Sequence, residues 1–316
     1  MRYFSLPGIE KPVSVLCLGT GGMGSAQTAD ESFTLLDAFA ERGGTFLDTA
    51  HVYADWIPGG AGASERTVGA WLRSRDVWGR FVVGTKGGHP KLETMHLSRL
   101  RPEDIAQDLA ESLERLQTET IDLYWLHRDD PAVPVGEILS ALNDHLAAGA
   151  VRAIGASNWS TVRLEEAADY AAAHGLTGFC ASQIAWSLAR SNEPYNAAMR
   201  TIAMDKDALR WYCAAGLRVI PYTAQASGFF AHPYDETAAR FSAYHSPVNA
   251  RRWQRAQTMA RERGMSPNAV ALAYLLNHPC GGAAIVGPHT GEQMEDTCRA
   301  ADLALSDAEL AFLEAH

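Results

Sequence analysis

Eight short, nearly continuous apolar runs alternate with amphipathic helical patterns along a chain of 316 residues. The long connections follow strands, whereas the joints from helix back to strand are short. These features predict an α/β protein: a closed (β/α)8 barrel of the TIM type with long βα loops, folded as one domain over residues 1–316.

The runs are VSVLCLG (13–19), TFLDTA (45–50), RFVVGTK (80–86), IDLYWLH (121–127), VRAIGAS (151–157), GFCASQIA (178–185), LRVIPY (217–222) and GAAIVG (282–287). Apolar character on both faces suits parallel strands covered by helices, joined by right-handed crossovers. Between them, Phe33, Leu36, Phe39 and Ala40 form one helical stripe; Ile105, Leu109, Leu113 and Leu116 a second; Ile138, Leu142 and Leu146 a third. Gly43, Gly149, Gly175 and Gly216 stand where a left-handed residue would end a helix. Ser266-Pro267 reads as an N-cap followed by an N1 proline, while Thr290 with Gln293 and Ser306 with Glu309 fit capping boxes. An open doubly wound sheet is the rival topology. It is set aside because in GTGGMGS, after the first run, no G-x-G-x-x-G opens a helix. The segments 51–63, 87–101, 186–205 and 223–248 are the long βα loops. In a barrel they leave from one end, which should hold the site.

Apolar residues make up 47% and charged residues 20%, the balance of a soluble globular protein. The N-terminal MRYFSLPGIEKPVSV lacks an apolar signal core, and no run approaches the ~20 residues of a membrane span. A formal charge of −10 disfavours nucleic acid and anionic membrane as partners. The five cysteines, Cys17, Cys180, Cys213, Cys280 and Cys298, form no CxxC. That argues against a disulfide framework or a zinc site, and for a reducing cytoplasm.

Asp48, Tyr53, Lys86 and His127 stand where strands two, three and four leave the barrel. Each alone has an ordinary structural explanation; the convergence of four on one barrel end is harder to explain so. A phenol is a weak acid, of pKa about 10. A neighbouring lysine ammonium would stabilise the phenolate and lower that value, and a carboxylate would keep the lysine charged. A histidine opposite can orient a carbonyl oxygen. The set is a proton donor with an oxyanion site; having no nucleophile, it needs a hydride.

With LGTGGMG (18–24), FLDTAHVYA (46–54), VVGTKGG (82–88), IDLYWLHRDD (121–130), IGASNWS (154–160), SQIAWS (182–187), VIPYTAQASG (219–228) and AIVGPHTGEQMED (284–296) in order, the chain resembles the aldo-keto reductase superfamily along nearly its whole length. The resemblance implies the barrel with added loops and an extra C-terminal helix, no metal, and reduction of an aldehyde or ketone by a nicotinamide cofactor. Asp48, Tyr53, Lys86 and His127 would be its catalytic tetrad. Asp48, Ser157, Asn158 and Gln183 would lie at the nicotinamide, the last three holding its carboxamide, with Tyr222 stacked on the ring. Thr223, Gln225, Ser227 and Gly228 would wrap the pyrophosphate; Thr20, Gly21 and Met23 would border the ribose and nicotinamide; Gly287, His289, Gln293 and Thr297 would meet the adenosine. Family habit favours NADP(H), with NAD(H) as the alternative. The chain departs from the family here: no lysine or arginine lies in 287–297 to meet a 2′-phosphate.

The loops over the site carry Trp56, His89, Met95, His96, Trp186, Phe229 and Phe230. Aromatics among polar donors suit a sugar or polyol carbonyl substrate, with Trp56 and Trp186 as its contacts. A cofactor-binding regulatory or redox-sensing subunit on the same fold is the alternative function. A barrel hydrolase is disfavoured, because no second carboxylate occupies a matching strand end.

Overall fold

The chain opens with an antiparallel hairpin, β1 (Tyr3–Leu6) and β2 (Ile9–Ser14), in the computed structural model, which describes residues 1–315. The strand pattern of the sequence did not anticipate it, although Pro7-Gly8 is a turn signal. Gly8 takes a φ of 81°, and a Cβ there would lie 2.6 Å from the Arg152 carbonyl oxygen. Leu6, Ile9 and Val13 of the hairpin pack with the barrel's interior residues, so β1 and β2 stopper its N-terminal end.

The barrel strands are β3 (Leu16–Gly19), β4 (Phe46–Asp48), β5 (Val82–Gly87), β6 (Ile121–Leu126), β7 (Val151–Ser157), β8 (Ala181–Gln183), β9 (Arg218–Val219) and β10 (Ala284–Val286). All eight pair in parallel, in the order β10-β3-β4-β5-β6-β7-β8-β9. Two backbone bonds, Gly282 N to Val219 O and Ile285 N to Pro221 O, both 2.9 Å, join β9 to β10 and close the ring. The last three strands are shorter than their apolar runs. In the run of β9, Pro221 has no N–H to extend the ladder.

Helices α1 (Ala29–Glu41), α2 (Ala63–Arg75), α3 (Pro102–Leu116), α4 (Val135–Ala147), α5 (Thr161–His174), α6 (Glu193–Met199), α7 (Lys206–Ala215), α8 (Pro247–Arg263), α9 (Pro267–Asn277), α10 (Gly291–Ala300) and α11 (Asp307–Glu314) complete the fold. Helix α6 lies within the loop after β8, β9 is followed by two helices, and α11 is the extra C-terminal helix. Gly19, Gly21 and Gly24 do fit the spacing G-x-G-x-x-G. Yet α1 begins only at Ala29, capped by Thr28, so these glycines shape a loop and open no helix. The Thr290 capping box is half made: Thr290 accepts from Gln293 N, but the Gln293 side chain accepts from His289 N. The Ser306–Glu309 box is complete.

Alternate residues of each strand face two cores. Cys17, Phe46, Val82, Leu123, Trp125, Ala153 and Ile220 fill the barrel. Leu18, Leu47, Val83, Tyr124, Leu126 and Ile154 pack outward on the helices. Trp125 has room because β7 offers Gly155, where a Cβ would lie 2.3 Å from its ring. No described helix is long and apolar enough to cross a membrane.

Candidate active site

Parallel register gathers the polar residues at one rim. Gly19 pairs with Asp48, Lys86 with Trp125 and Ser157 with Gln183, so β3 to β8 all end there. The pairing of β4 with β5 continues through Thr49 N to Gly84 O and His51 N to Lys86 O, each 2.9 Å. A turn closed by Tyr53 N and Ala50 O at 3.1 Å then folds Tyr53 back over the strand ends.

Lys86 is the hub. Its ammonium, only 2% exposed, donates to Asp48 Oδ2 at 2.5 Å, to the Thr49 carbonyl at 2.8 Å and to the Tyr53 hydroxyl at 2.9 Å. A lysine has three N–H donors, and all three are engaged. Burial pulls Lys86 down, but the Asp48 carboxylate, Tyr53 and the hydrogen bonds to both hold it above its usual range, so it stays cationic. Tyr53 shows the reverse balance. Burial raises its phenol above the usual value, and the Lys86 charge offsets this only in part. The net lowering expected from the lysine alone is therefore not what the site produces, because desolvation is the larger effect. Burial, then the Lys86 charge, holds His127 well below the usual imidazole value, and so neutral. Its ring meets Tyr53 edge-on at 6.0 Å and His89 at 4.9 Å, and its Nδ1 has no partner among the described residues.

Asp48 also binds Gln183, whose Nε2 donates to Oδ1 at 2.8 Å. That bond fixes the amide, leaving Gln183 Oε1 buried with no partner among the described residues. An unsatisfied buried acceptor at the rim suits an incoming amide N–H, the donor a nicotinamide carboxamide offers. Asn158, strained at a φ of 58°, is more committed: its Oδ1 accepts from the Tyr222 hydroxyl at 2.7 Å and Ile202 N at 3.2 Å. Its Nδ2 donates to Ser157 Oγ at 3.2 Å. Tyr222 and Asn158 thus fix one another.

Thr223, Ala226 and Ser227 hold left-handed backbones at φ of 54°, 48° and 53°, followed by Gly228 at 83°. Such strain in non-glycine residues costs about 1 kcal/mol or more each and concentrates at functional loops. Gln225 Nε2 donates to Thr297 Oγ1 at 3.2 Å, tying this loop to α10. Gly287 borders open space, and His289 precedes α10 on the surface. The nicotinamide, pyrophosphate and adenosine candidates thus run from β8 past the loop after β9 to α10.

Several sequence candidates lie elsewhere. Thr20 is fully buried, its hydroxyl held by the Asp48 carbonyl and Ser64, so it braces β4 from behind. Met23 is buried too, whereas Gly21 lies beside the Tyr53 ring. Trp56 is 57% exposed and meets Tyr53 edge-on at 6.5 Å. Trp186 does not join it. Its ring packs on Tyr274 and His278, lining a cavity of 350 Å³ that none of the tetrad borders. Phe229 and Phe230 are buried, Phe229 against Phe241 and Tyr244, and anchor their loop. Met95 and His96 line a 360 Å³ cavity with Arg128 and Asn158.

Sequence patterns missed the support beneath the rim. Glu65, fully buried, accepts from Thr85 Oγ1 at 2.6 Å and Arg115 at 3.2 Å. Asp108 accepts from Gly88 N at 2.9 Å and Arg99 at 2.6 Å. Both carboxylates sit on helices, where acidic residues ordinarily face water.

The model of the aldo/keto reductase family matches residues 15–316. Norsolorinic acid reductase B of Dothistroma septosporum is 30% identical, covering 100% of this chain and 81% of that protein. Norsolorinic acid reductase stcV of Emericella nidulans is 29% identical (98% and 79%), and the uncharacterized oxidoreductase YrpG of Bacillus subtilis 29% (99% and 95%). The crystal structure of the thermostable aldo-keto reductase Tm1743, in complex with epalrestat, is alike in fold, with a TM-score of 0.75 at 22% identity and 99% of each chain covered. A tetrad on the rim of a parallel barrel and a family match over nearly every residue lead to one conclusion: this chain belongs to the aldo/keto reductase family.

Proposed function

We propose that the protein reduces an aldehyde or ketone to the alcohol with a reduced nicotinamide cofactor, Tyr53 giving the proton. The observation that carries this is the saturated Lys86 ammonium. Because Lys86 donates to the Tyr53 oxygen and has no lone pair, the phenol cannot give its own proton back to it. That proton is left for a substrate oxygen. As it departs, the fixed cation stabilises the phenolate, and neutral His127 orients the carbonyl oxygen as a donor. Asp48 keeps Lys86 charged and positions Gln183.

The bound cofactor would supply the hydride to the carbonyl carbon. Gln183, with Ser157 and Asn158, would hold its carboxamide, Tyr222 its ring, Thr223, Gln225, Ser227 and Gly228 the pyrophosphate, and Gly287, His289, Gln293 and Thr297 the adenosine. Gly21 and the buried Thr20 and Met23 would shape the wall behind. We take NADP(H) as the favoured form and NAD(H) as a working alternative.

A sugar or polyol carbonyl remains our reading of the substrate, now resting on exposed Trp56 beside Tyr53 and on His89 and His96. Two of the relatives named above are norsolorinic acid reductases, a name that points to no sugar. Steady-state oxidation of NADPH and NADH with a panel of aldehydes, keto-sugars and aromatic ketones tests the proposal. Turnover of any carbonyl supports a reductase; cofactor binding without turnover of the panel favours a regulatory subunit.

A further inference from the structure

At the opposite end of the barrel, Cys213, His278 and Cys280 bring two sulfurs and an imidazole nitrogen within 4.8 Å of one another. Cys213 is distant in sequence from His278 and Cys280 and there is no CxxC, so spacing alone argues against a zinc site. The fold assembles them from two helix ends and the turn into β10. Cys213 lies in the last turn of α7, and His278 caps the C-terminus of α9.

The turn is rigid. Gly281 N bonds to His278 O at 2.9 Å, placing His278 and Cys280 two residues apart within one tight turn. A Cβ at Gly281 would lie 2.5 Å from the Leu275 carbonyl oxygen, so the turn needs its glycine. The Cys280 carbonyl accepts from Val219 N at 3.2 Å, and Arg218 donates to the carbonyls of Pro279 and Gly281. Within this frame His278 Nδ1 stands 3.5 Å from Cys280 Sγ. Cys280 is buried, His278 half-buried and Cys213 exposed, which leaves a path in from solvent.

We propose that Cys213, His278 and Cys280 bind a zinc-type cation. Two thiolates and a neutral imidazole select borderline-soft metals over magnesium or calcium. Tetrahedral zinc, with bonds of roughly 2.3 Å to sulfur and 2.0–2.1 Å to nitrogen, sets neighbouring ligand atoms about 3.5–3.8 Å apart. The His278–Cys280 pair already has that spacing, and Cys213 needs to close by no more than about 1 Å. Binding displaces two thiol protons to solvent and changes no oxidation state. The ion would clasp α7 to the turn between α9 and β10, away from the tetrad, so the site is independent of the carbonyl chemistry.

Cobalt(II) added to the chelator-stripped, thiol-reduced full-length protein tests this. The expected result is one equivalent per chain with a sulfur-to-cobalt charge-transfer band and tetrahedral d–d bands, all abolished by zinc. Cys213→Ser, at an exposed position, and His278→Gln should each weaken zinc binding by more than ~100-fold, while Cys298→Ser leaves it unchanged. Absence of the charge-transfer band, or a band that survives in both Cys213→Ser and His278→Gln, overturns the proposal.

Discussion

Gln183 Nε2 donates to Asp48 Oδ1 at 2.8 Å, while the other oxygen of that carboxylate accepts from Lys86. One buried aspartate thereby binds β8 to β4 across the barrel mouth and balances a buried cation. Asp48→Ala leaves Lys86 without its counter-charge, a loss of about 3–5 kcal/mol when one partner of a buried pair is removed. The midpoint of urea unfolding should fall accordingly, and an unchanged midpoint would show that Lys86 needs no partner.

Stability should also fall in mild acid. Burial lowers the imidazoles of His127, His89, His145 and His278, His127 most strongly. In the unfolded chain a histidine takes up its proton near pH 6.5, whereas folded His127 resists it. Below that pH the unfolded state binds more protons, so stability is full above about 6.5 and is lost as pH falls. His127 alone should contribute on the order of 1 kcal/mol per pH unit. Unfolding free energies at pH 7.5 and 5.0 check this: His127→Gln should flatten the dependence, and an identical slope in the variant contradicts the assignment.

The barrel was legible because strands buried on both faces leave unbroken apolar runs, and because glycines such as Gly175 and Gly216 mark the helix ends. The clustering of Asp48, Tyr53, Lys86 and His127 was legible because polar residues at strand ends are conspicuous. What escaped depends on distance and depth. Glu65 resembles a solvated helix residue until Arg115 is brought to it. Trp186 and Phe229 have the composition of cleft aromatics, yet they pack inward. The sequence identified the neighbour of Tyr53 but not its desolvation, so the direction of the phenol's shift came out reversed. Cys213 and Cys280 meet only once α7 and the α9 turn are in place.

Trp56 is exposed and lies beside Tyr53, the proposed proton donor, and it tests the sugar reading. Trp56→Ala should raise KM for a keto-sugar or aldose about 5- to 10-fold, the scale of about 1 kcal/mol of aromatic contact. KM for a small aliphatic aldehyde should change little. Equal effects on both would make Trp56 a loop anchor.

On the proposed reading, cofactor choice turns on the start of α10. The segment 287–297 has no lysine or arginine, and α10 carries Glu292, Glu295 and Asp296. The helix N-terminus favours a phosphate by only about 0.3–1 kcal/mol, so the preference for NADPH over NADH should be a few-fold. His289→Arg should increase the ratio of kcat/KM values by roughly 10- to 100-fold through charge-assisted hydrogen bonds. A thousand-fold preference in the unmodified enzyme would mean that a cation from another segment reaches the phosphate.

The most direct test is turnover by Tyr53→Phe, which removes one oxygen from a ring otherwise left in place beside Lys86. The account predicts that carbonyl reduction slows by roughly 10²- to 10⁴-fold, the range of a lost general acid, while cofactor binding, followed by fluorescence, is nearly unchanged. Turnover within a few-fold of the unmodified enzyme would contradict Tyr53 as the proton donor.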